Sequence, residues 1–282
     1  MSADANARPD RVTVIQPQTG WLPIDFAELW SHRGLLGFLV LRDLKVKYKQ
    51  TALGVAWAFL QPLVKMAIFT LFFGRLAKVP SEGVPYAVFS FAALLPWTYF
   101  DTALSFSSTS LVANAPLLSK VYLPRLMLPT AAAIAPLADF AISLLLLFVL
   151  LPLYHVPLTW RLVWALPFIA LTAVTALGCG LWLSAINVKY RDVQYTVPFL
   201  MQIWLFLTPV VYPSGLVPPA YRVLYGLNPM VAAVEGFRWA ALPGTAFPSA
   251  PMMAVSLVVS LSLLIGGAHF FTRLEREFAD VV

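Results

Sequence analysis

Long apolar runs alternate with short polar stretches along this chain, at approximately 52–74, 86–112, 128–154, 162–186, 193–213 and 251–271. A hydrocarbon core about 30 Å thick takes roughly 20 residues of helix. The pattern therefore predicts an all-α integral membrane protein with six transmembrane helices. Single ionisable residues, Lys65, Asp101 and Asp139, interrupt the first three runs, and the last three contain no Lys, Arg, Asp or Glu.

The flanking segments follow a different pattern. Residues 1–29 are polar and contain prolines, without the apolar stretch and small-residue cleavage site of a removable signal peptide, so this N-terminal tail is expected in the cytoplasm. Across 30–50, apolar Leu35, Phe38, Leu41, Leu44 and Tyr48 accompany Arg42, Lys45 and Lys49, which are spaced three and four apart on another face. This predicts an interfacial amphipathic helix before the first crossing. Between crossings five and six, Asn228–Leu242 is apolar but about 15 residues long, below the roughly 17 that a crossing needs. Glu235 and Arg238 stand three apart on one helical face, and Pro218, Pro219, Pro229 and Pro243 punctuate the stretch. The reading is an outer re-entrant or surface helical hairpin. At membrane depth such a hairpin is tolerated only where protein or a wet cavity surrounds it, and it would serve as an external gate. Six crossings return the short C-terminal tail, 276–282, to the cytoplasm.

Composition sharpens this picture. Of 282 residues 60% are hydrophobic, and 19 Lys and Arg stand against 13 Asp and Glu. A soluble domain carries roughly a quarter charged residues, so that class is excluded. A net charge of +6, dispersed along the chain, gives no footprint for nucleic acid. Thirteen basic residues fall on the expected cytoplasmic side and five outside, in keeping with the positive-inside rule. The single Cys179 excludes a disulfide framework. His32, His155 and His269 fall in segments that cannot converge on one metal or catalytic base. No GxxxxGK[ST] phosphate loop occurs, so any ATP-driven work needs a second polypeptide. No internal repeat is visible, which weakens an ion-coupled carrier built on inverted repeats.

An ordered set of short blocks carries a family resemblance. Arg42-Asp43-Leu44-Lys45-Val46-Lys47-Tyr48 is followed by Leu53-Gly54-Val55-Ala56-Trp57 and Gln61-Pro62-Leu63, then by Leu95-Pro96-Trp97-Thr98-Tyr99-Phe100. Asn114-Ala115-Pro116-Leu117-Leu118-Ser119-Lys120-Val121-Tyr122-Leu123-Pro124-Arg125, Asn187-Val188-Lys189-Tyr190-Arg191-Asp192 and Leu227-Asn228-Pro229-Met230 complete it. The chain resembles the ABC transmembrane type-2 permeases of the polysaccharide exporter group over residues 37–275, and is most similar to those for lipid-linked O-antigen, capsule or teichoic-acid chains. The resemblance implies a non-enzymatic transport subunit of the bacterial inner membrane. It implies a homodimer with two cytoplasmic nucleotide-binding subunits, which bind ATP and Mg while this chain binds no cofactor. The implied cargo is a glycan on polyprenyl pyrophosphate.

On this topology Asn114–Leu126 and Asn187–Val193 both face the cytoplasm. They are the expected coupling levers, through Asn114, Leu117, Leu118, Lys120, Tyr122 and Arg125 and through Asn187, Tyr190, Arg191 and Asp192. Asn187 and Asp192 also read as helix caps and Arg191 as a membrane anchor. The basic face of Arg42, Lys45 and Lys49 suits either the cargo's pyrophosphate or ordinary anionic lipids. Lys65 and Asp139 match no family motif; they either pair with each other or reach water separately along the pathway. Trp57, Phe59, Trp97, Tyr99, Phe100, Trp204, Phe206 and Tyr212 cluster on crossings one, two and five, and offer either flat surfaces for sugar rings or interfacial anchors and packing. A small-molecule type-2 exporter, a channel or ion-coupled carrier, and an accessory protein of a membrane glycosyltransferase are the alternatives.

Overall fold

The computed structural model describes residues 30–49, 54, 56–118, 120 and 123–275. The two expected tails, 1–29 and 276–282, and Tyr122 lie outside the described residues. All regular structure among the described residues is helical. Five helices are long and apolar enough to cross a membrane: Ala56–Leu76, Tyr86–Ala113, Met127–Leu153, Trp160–Lys189 and Ala250–Glu275. The expected fifth crossing, 193–213, stops at Leu207 and leaves a 15-residue helix.

In chain order the elements are α1 (Arg33–Lys49) and α2 (Ala56–Phe69), the latter continuing as a π-helix over Thr70–Leu76. Next come α3 (Tyr86–Ala113), the one-turn α4 (Ala115–Leu118), α5 (Met127–Ile134) and α6 (Leu137–Leu153). A 3-10 turn at Trp160–Trp164 leads into α7 (Ala165–Lys189), followed by α8 (Val193–Leu207). The short α9 (Arg222–Tyr225), α10 (Pro229–Ala241) and α11 (Ala250–Glu275) complete the order.

A helix that is apolar all round is a buried helix, and α3 is the central one. Its residues from Ala87 to Trp97 are all buried, and it packs against α2, α5, α6, α7, α8 and α10. Small residues let α7 and α11 approach each other closely, as expected where lipid removes the hydrophobic drive for association. A Cβ at Gly178 of α7 would lie 2.7 Å from the backbone N of Leu264 in α11, and one at Gly267 would lie 2.6 Å from the Gly178 carbonyl oxygen.

The third crossing is two helices rather than one. Pro136 cannot donate a backbone hydrogen bond, and α5 gives way to α6 across Ala135–Pro136. The face of α1 also differs from the expected one. Leu39 is its buried residue, with Leu35, Leu36 and Val40 packed beside it, while Phe38 and Leu41 are exposed. The helix lies along α5, and the i, i+4 row Leu35, Leu39, Asp43 and Lys47 therefore turns toward the protein.

The α10 segment is no surface helix: every residue but Trp239 is buried. Asn228 caps it by accepting from the Met230 N–H at 3.1 Å, with Pro229 at the first helical position, a favoured combination. The Asn228 Oδ1 also accepts from Trp204 Nε1 at 2.9 Å, and its Nδ2 donates to the Leu207 carbonyl at 3.2 Å and to Thr208 Oγ1 at 3.0 Å. Arg238, 1% exposed, donates to Glu235 Oε1 at 2.7 Å and to the carbonyls of Pro209 and Val210 at 2.6 and 3.1 Å. Its guanidinium carbon lies 3.9 Å from the centre of the Phe89 ring. Glu235 accepts from the N–H and hydroxyl of Ser214, and the Tyr86 hydroxyl donates to the Val211 carbonyl. The irregular segment after α8 is thus held by side chains of α3 and α10. Arg238, counted above among the outer charges, is an internal one.

Removing one partner of a buried ion pair costs about 3–5 kcal/mol, because the other charge is stranded. Arg238→Met should accordingly lower the thermal unfolding midpoint in detergent sharply, and Glu235→Gln combined with Arg238→Met should recover part of the loss. A wild-type midpoint for Arg238→Met would refute the grip. Asn228→Ala removes the cap and three further bonds, and should cost about 1–3 kcal/mol in the same assay.

Candidate functional site

The break at Pro136 places Asp139 in the first turn of α6, where the positive end of the helix dipole favours a carboxylate. Asp139 accepts from the Lys47 ammonium and from the Tyr48 hydroxyl, both at the end of α1. Lys47 reaches it because the i, i+4 row on α1 points inward. The ammonium also lies 5.8 Å from the centre of the Phe106 ring, so it is braced by an aromatic face as well as by its counter-ion. Burial and the neighbouring Asp139 carboxylate push the Tyr48 pKa above its ordinary value, which keeps the phenol a donor.

These three side chains form the floor of a cleft between α1, α2, α3 and α6. Trp57 and Gln61 line it from α2, Thr98, Tyr99 and Thr102 from α3, and Ser143 from α6. The cleft brings together Trp57, Tyr99 and Asp139 from the expected pathway set. The Lys65–Asp139 pairing left open by the sequence is not formed. Asp139 is taken by Lys47 and Tyr48 instead.

The remaining expected pathway residues are dispersed. Arg42 pairs with Asp43 at 2.7 Å, while Lys45 and Lys49 are exposed on α1. Phe59 is exposed on α2. Trp97 and Phe100 are buried and packed against each other, and the Phe100 ring meets Trp204 edge-on at 5.1 Å, so their surroundings are protein. Tyr99 is also buried, and its hydroxyl donates to the Ala133 carbonyl at 3.1 Å. Phe206 is exposed on α8, and the Tyr212 hydroxyl donates to its carbonyl at 3.0 Å and meets the Tyr225 hydroxyl at 3.0 Å.

Of the expected coupling residues, Asn114 ends α3 and its side chain donates to the Ser110 carbonyl at 2.8 Å. Leu117 and Leu118 of α4 are half-buried against the cluster that also holds Leu39, Met127 and Phe271. Lys120 is exposed, and Arg125 donates to the Glu275 carbonyl at 2.6 Å, tying this segment to the end of α11. Asn187 is no cap: it sits inside α7, 2% exposed, and donates to the Ser108 carbonyl of α3 at 3.0 Å. Asp192 holds the N-cap position of α8, but its side chain makes no capping bond; with Tyr190 and Arg191 it is exposed.

Sequence reasoning passed over Lys47, Gln61 and Thr98 as site residues. A signal existed for Lys47, the one basic residue of 42–49 that falls off the Arg42, Lys45, Lys49 face. Gln61 and Thr98 carried none, since a lone polar residue in an apolar run becomes informative only when its neighbours across helices are known.

Comparison with known proteins gives a consistent answer. Residues 35–242 match the ABC-2 type transporter family. The chain is 34% identical over 258 residues to the O-antigen export system permease protein RfbA of Myxococcus xanthus, covering 90% of this chain and 98% of that protein. It is 26% identical to the O-antigen export system permease protein RfbA of Klebsiella pneumoniae, covering 88% and 95% of the two chains. To the polysialic acid transport protein KpsM of Escherichia coli it is 25% identical, covering 84% and 92%. With its apolar crossings and a family match that spans residues 35–242, the chain belongs to the ABC-2 type transporter family of membrane permeases.

Proposed function

We propose that this chain is the membrane subunit of an ATP-driven exporter that moves a lipid-linked polysaccharide across the bacterial inner membrane. The observation that carries the reading is the similarity running through 90% of the chain to a permease whose name assigns it to O-antigen export. Its working form is a homodimer with two cytoplasmic nucleotide-binding subunits, which bind ATP and Mg. Large apolar side chains left exposed on α2 and its π-helical continuation (Val64, Ile68 and Leu71) and on α8 (Phe199, Ile203 and Phe206) give a second copy and lipid a surface to cover.

In this reading α8 is the fifth of six crossings, completed toward the outside by the segment after Leu207. The hairpin of α9 and α10 is re-entrant and forms the outer gate. The coupling levers are α4 with Lys120 and Arg125, and the exposed Tyr190–Asp192 corner. Both are short, connect crossing helices, and stand where a cytoplasmic partner could press on them. Among the aromatic residues, the exposed Trp57 and Phe59 have rings open to a sugar, whose C–H face suits a flat ring.

The purified chain alone should hydrolyse no ATP, with hydrolysis appearing only when the nucleotide-binding partner is added. ATPase activity of the pure permease would contradict the assignment. Lys120→Glu should leave the unfolding midpoint within about 0.5 kcal/mol of wild type, as an exposed substitution does, while weakening partner-dependent ATPase activity and export several-fold. Unchanged export would remove this segment from the coupling surface. For Trp57→Ala, export should fall several-fold while partner-driven ATP hydrolysis persists, and normal export would return Trp57 to a lipid-facing anchor.

A further inference from the structure

The inner cleft combines three chemistries. Lys47 and Tyr48 are a cationic and a phenolic donor, both engaged by Asp139. Beside them the Thr98 hydroxyl oxygen is buried and without a hydrogen-bond partner, a state that in proteins calls for an explanation. Gln61 and Ser143 add an amide and a second hydroxyl, and the Trp57 ring, 42% exposed, adds a flat apolar wall. The cleft is open on one side, and its cavity measures about 80 Å³, below the roughly 300–1,000 Å³ of enclosed small-ligand clefts, so it takes the end of a ligand rather than a whole one.

A simple phosphate would use the two donors and leave the rest idle. A neutral sugar would use the hydroxyl row and the aromatic wall but would have no need of a lysine. A sugar carried on a diphosphate uses all three: phosphate oxygens accept, sugar hydroxyls both donate and accept, and the ring face packs on indole. The Lys47–Asp139 pair also explains how such a site survives empty. An isolated ammonium at membrane depth is expensive, and Asp139 neutralises it until a ligand arrives.

We propose that the cleft between α1, α2, α3 and α6 binds the glycosyl diphosphate end of the lipid-linked cargo, with Lys47 and Tyr48 donating to the diphosphate and the displaced Asp139 accepting a sugar hydroxyl beside Thr98 and Gln61. This rests on the export reading above and deepens it. Asp139 is then an internal competitor of the cargo. In the empty protein it clasps the end of α1 to the start of α6, and cargo binding opens that clasp, so the helix that leads into the first crossing is released only when a cargo headgroup is present.

The test is equilibrium binding to the permease–ATPase complex in nanodiscs, with farnesyl diphosphate and N-acetylglucosaminyl farnesyl diphosphate as probes and inorganic pyrophosphate as the lipid-free control. Wild type should bind the sugar-bearing probe most tightly and inorganic pyrophosphate at least tenfold more weakly. Thr98→Val should weaken the sugar-bearing probe alone, and Asp139→Asn should tighten farnesyl diphosphate several-fold by removing the competitor. Replacing both charges, with Lys47→Met and Asp139→Leu together, leaves no stranded ion to unfold the protein. That variant should still assemble with the ATPase but bind both lipid probes at least tenfold more weakly. Wild-type affinity of the double variant for both lipid probes, or indifference of farnesyl diphosphate binding to Asp139→Asn, overturns the site while leaving the export reading standing. Failure of the wild-type complex to bind either lipid probe overturns the site together with the glycosyl-diphosphate cargo class.

Discussion

Inside a bilayer every backbone N–H and C=O must find a partner within the protein, and the departures of this chain from regular helix are organised around that requirement. Between Leu207 and Pro229 the chain leaves regular long helix, and the carbonyls of Leu207, Pro209, Val210 and Val211 lose their helical partners. Asn228, Arg238 and Tyr86 take them over. A buried arginine is the costliest of these solutions, and it is tolerated because Glu235 neutralises it, two carbonyls receive its hydrogen bonds and the Phe89 ring faces it. The grip fixes α10 between α3, α7 and α11 and, with it, the geometry of that end of the bundle.

The α1–α6 junction meets the same constraint with a different device. Pro136 breaks the third crossing and opens a helix start at depth; a carboxylate from the new first turn, a lysine and a tyrosine then close a polar cluster there. The two clusters are alike in being neutral overall and in joining elements far apart in sequence. They differ in access. The Arg238–Glu235 pair is sealed, at 1% and 5% exposure, whereas Lys47 and Asp139 border an open cleft. Between them α3 supplies an apolar, closely packed axis. A transporter needs some parts that hold and others that yield, and this division assigns holding to α3, α7, α10 and α11, and yielding to α1, α2 and α8, whose outward faces are the least covered.

Much of this was readable from hydropathy alone: the five long crossings, the helix ahead of them, and the shortness of Asn228–Leu242. The Asn-Pro start of α10 and the i, i+3 spacing of Glu235 and Arg238 were also visible, because caps and helical spacing are local properties. What escaped the sequence was non-local. Arg238 bonds carbonyls 28 and 29 residues away, and Asp139 meets Lys47 at a separation of 92. Period and composition record neither. The early end of α8 was obscured because Thr208–Tyr212 is as apolar as the helix before it; its signal was Pro209, which hydropathy ignores. The break at Pro136 was hidden in the same way within a long apolar run. Asn187 looked like a cap from its place near a polar corner, and only the packing of α7 on α3 reveals it as an interhelical hydrogen bond.

The account stands or falls on cargo movement. The direct measurement is export in proteoliposomes holding the permease and its nucleotide-binding partner, oriented with the ATPase outside and loaded on the outer leaflet with a polyprenyl-diphosphate glycan. A membrane-impermeant glycosidase added outside reports how much glycan remains there. The account predicts that ATP with Mg progressively protects the glycan, and that a hydrolysis-defective partner abolishes the protection. Complete digestion regardless of ATP, together with ATP-driven pumping of small apolar dyes by the same vesicles, would contradict it.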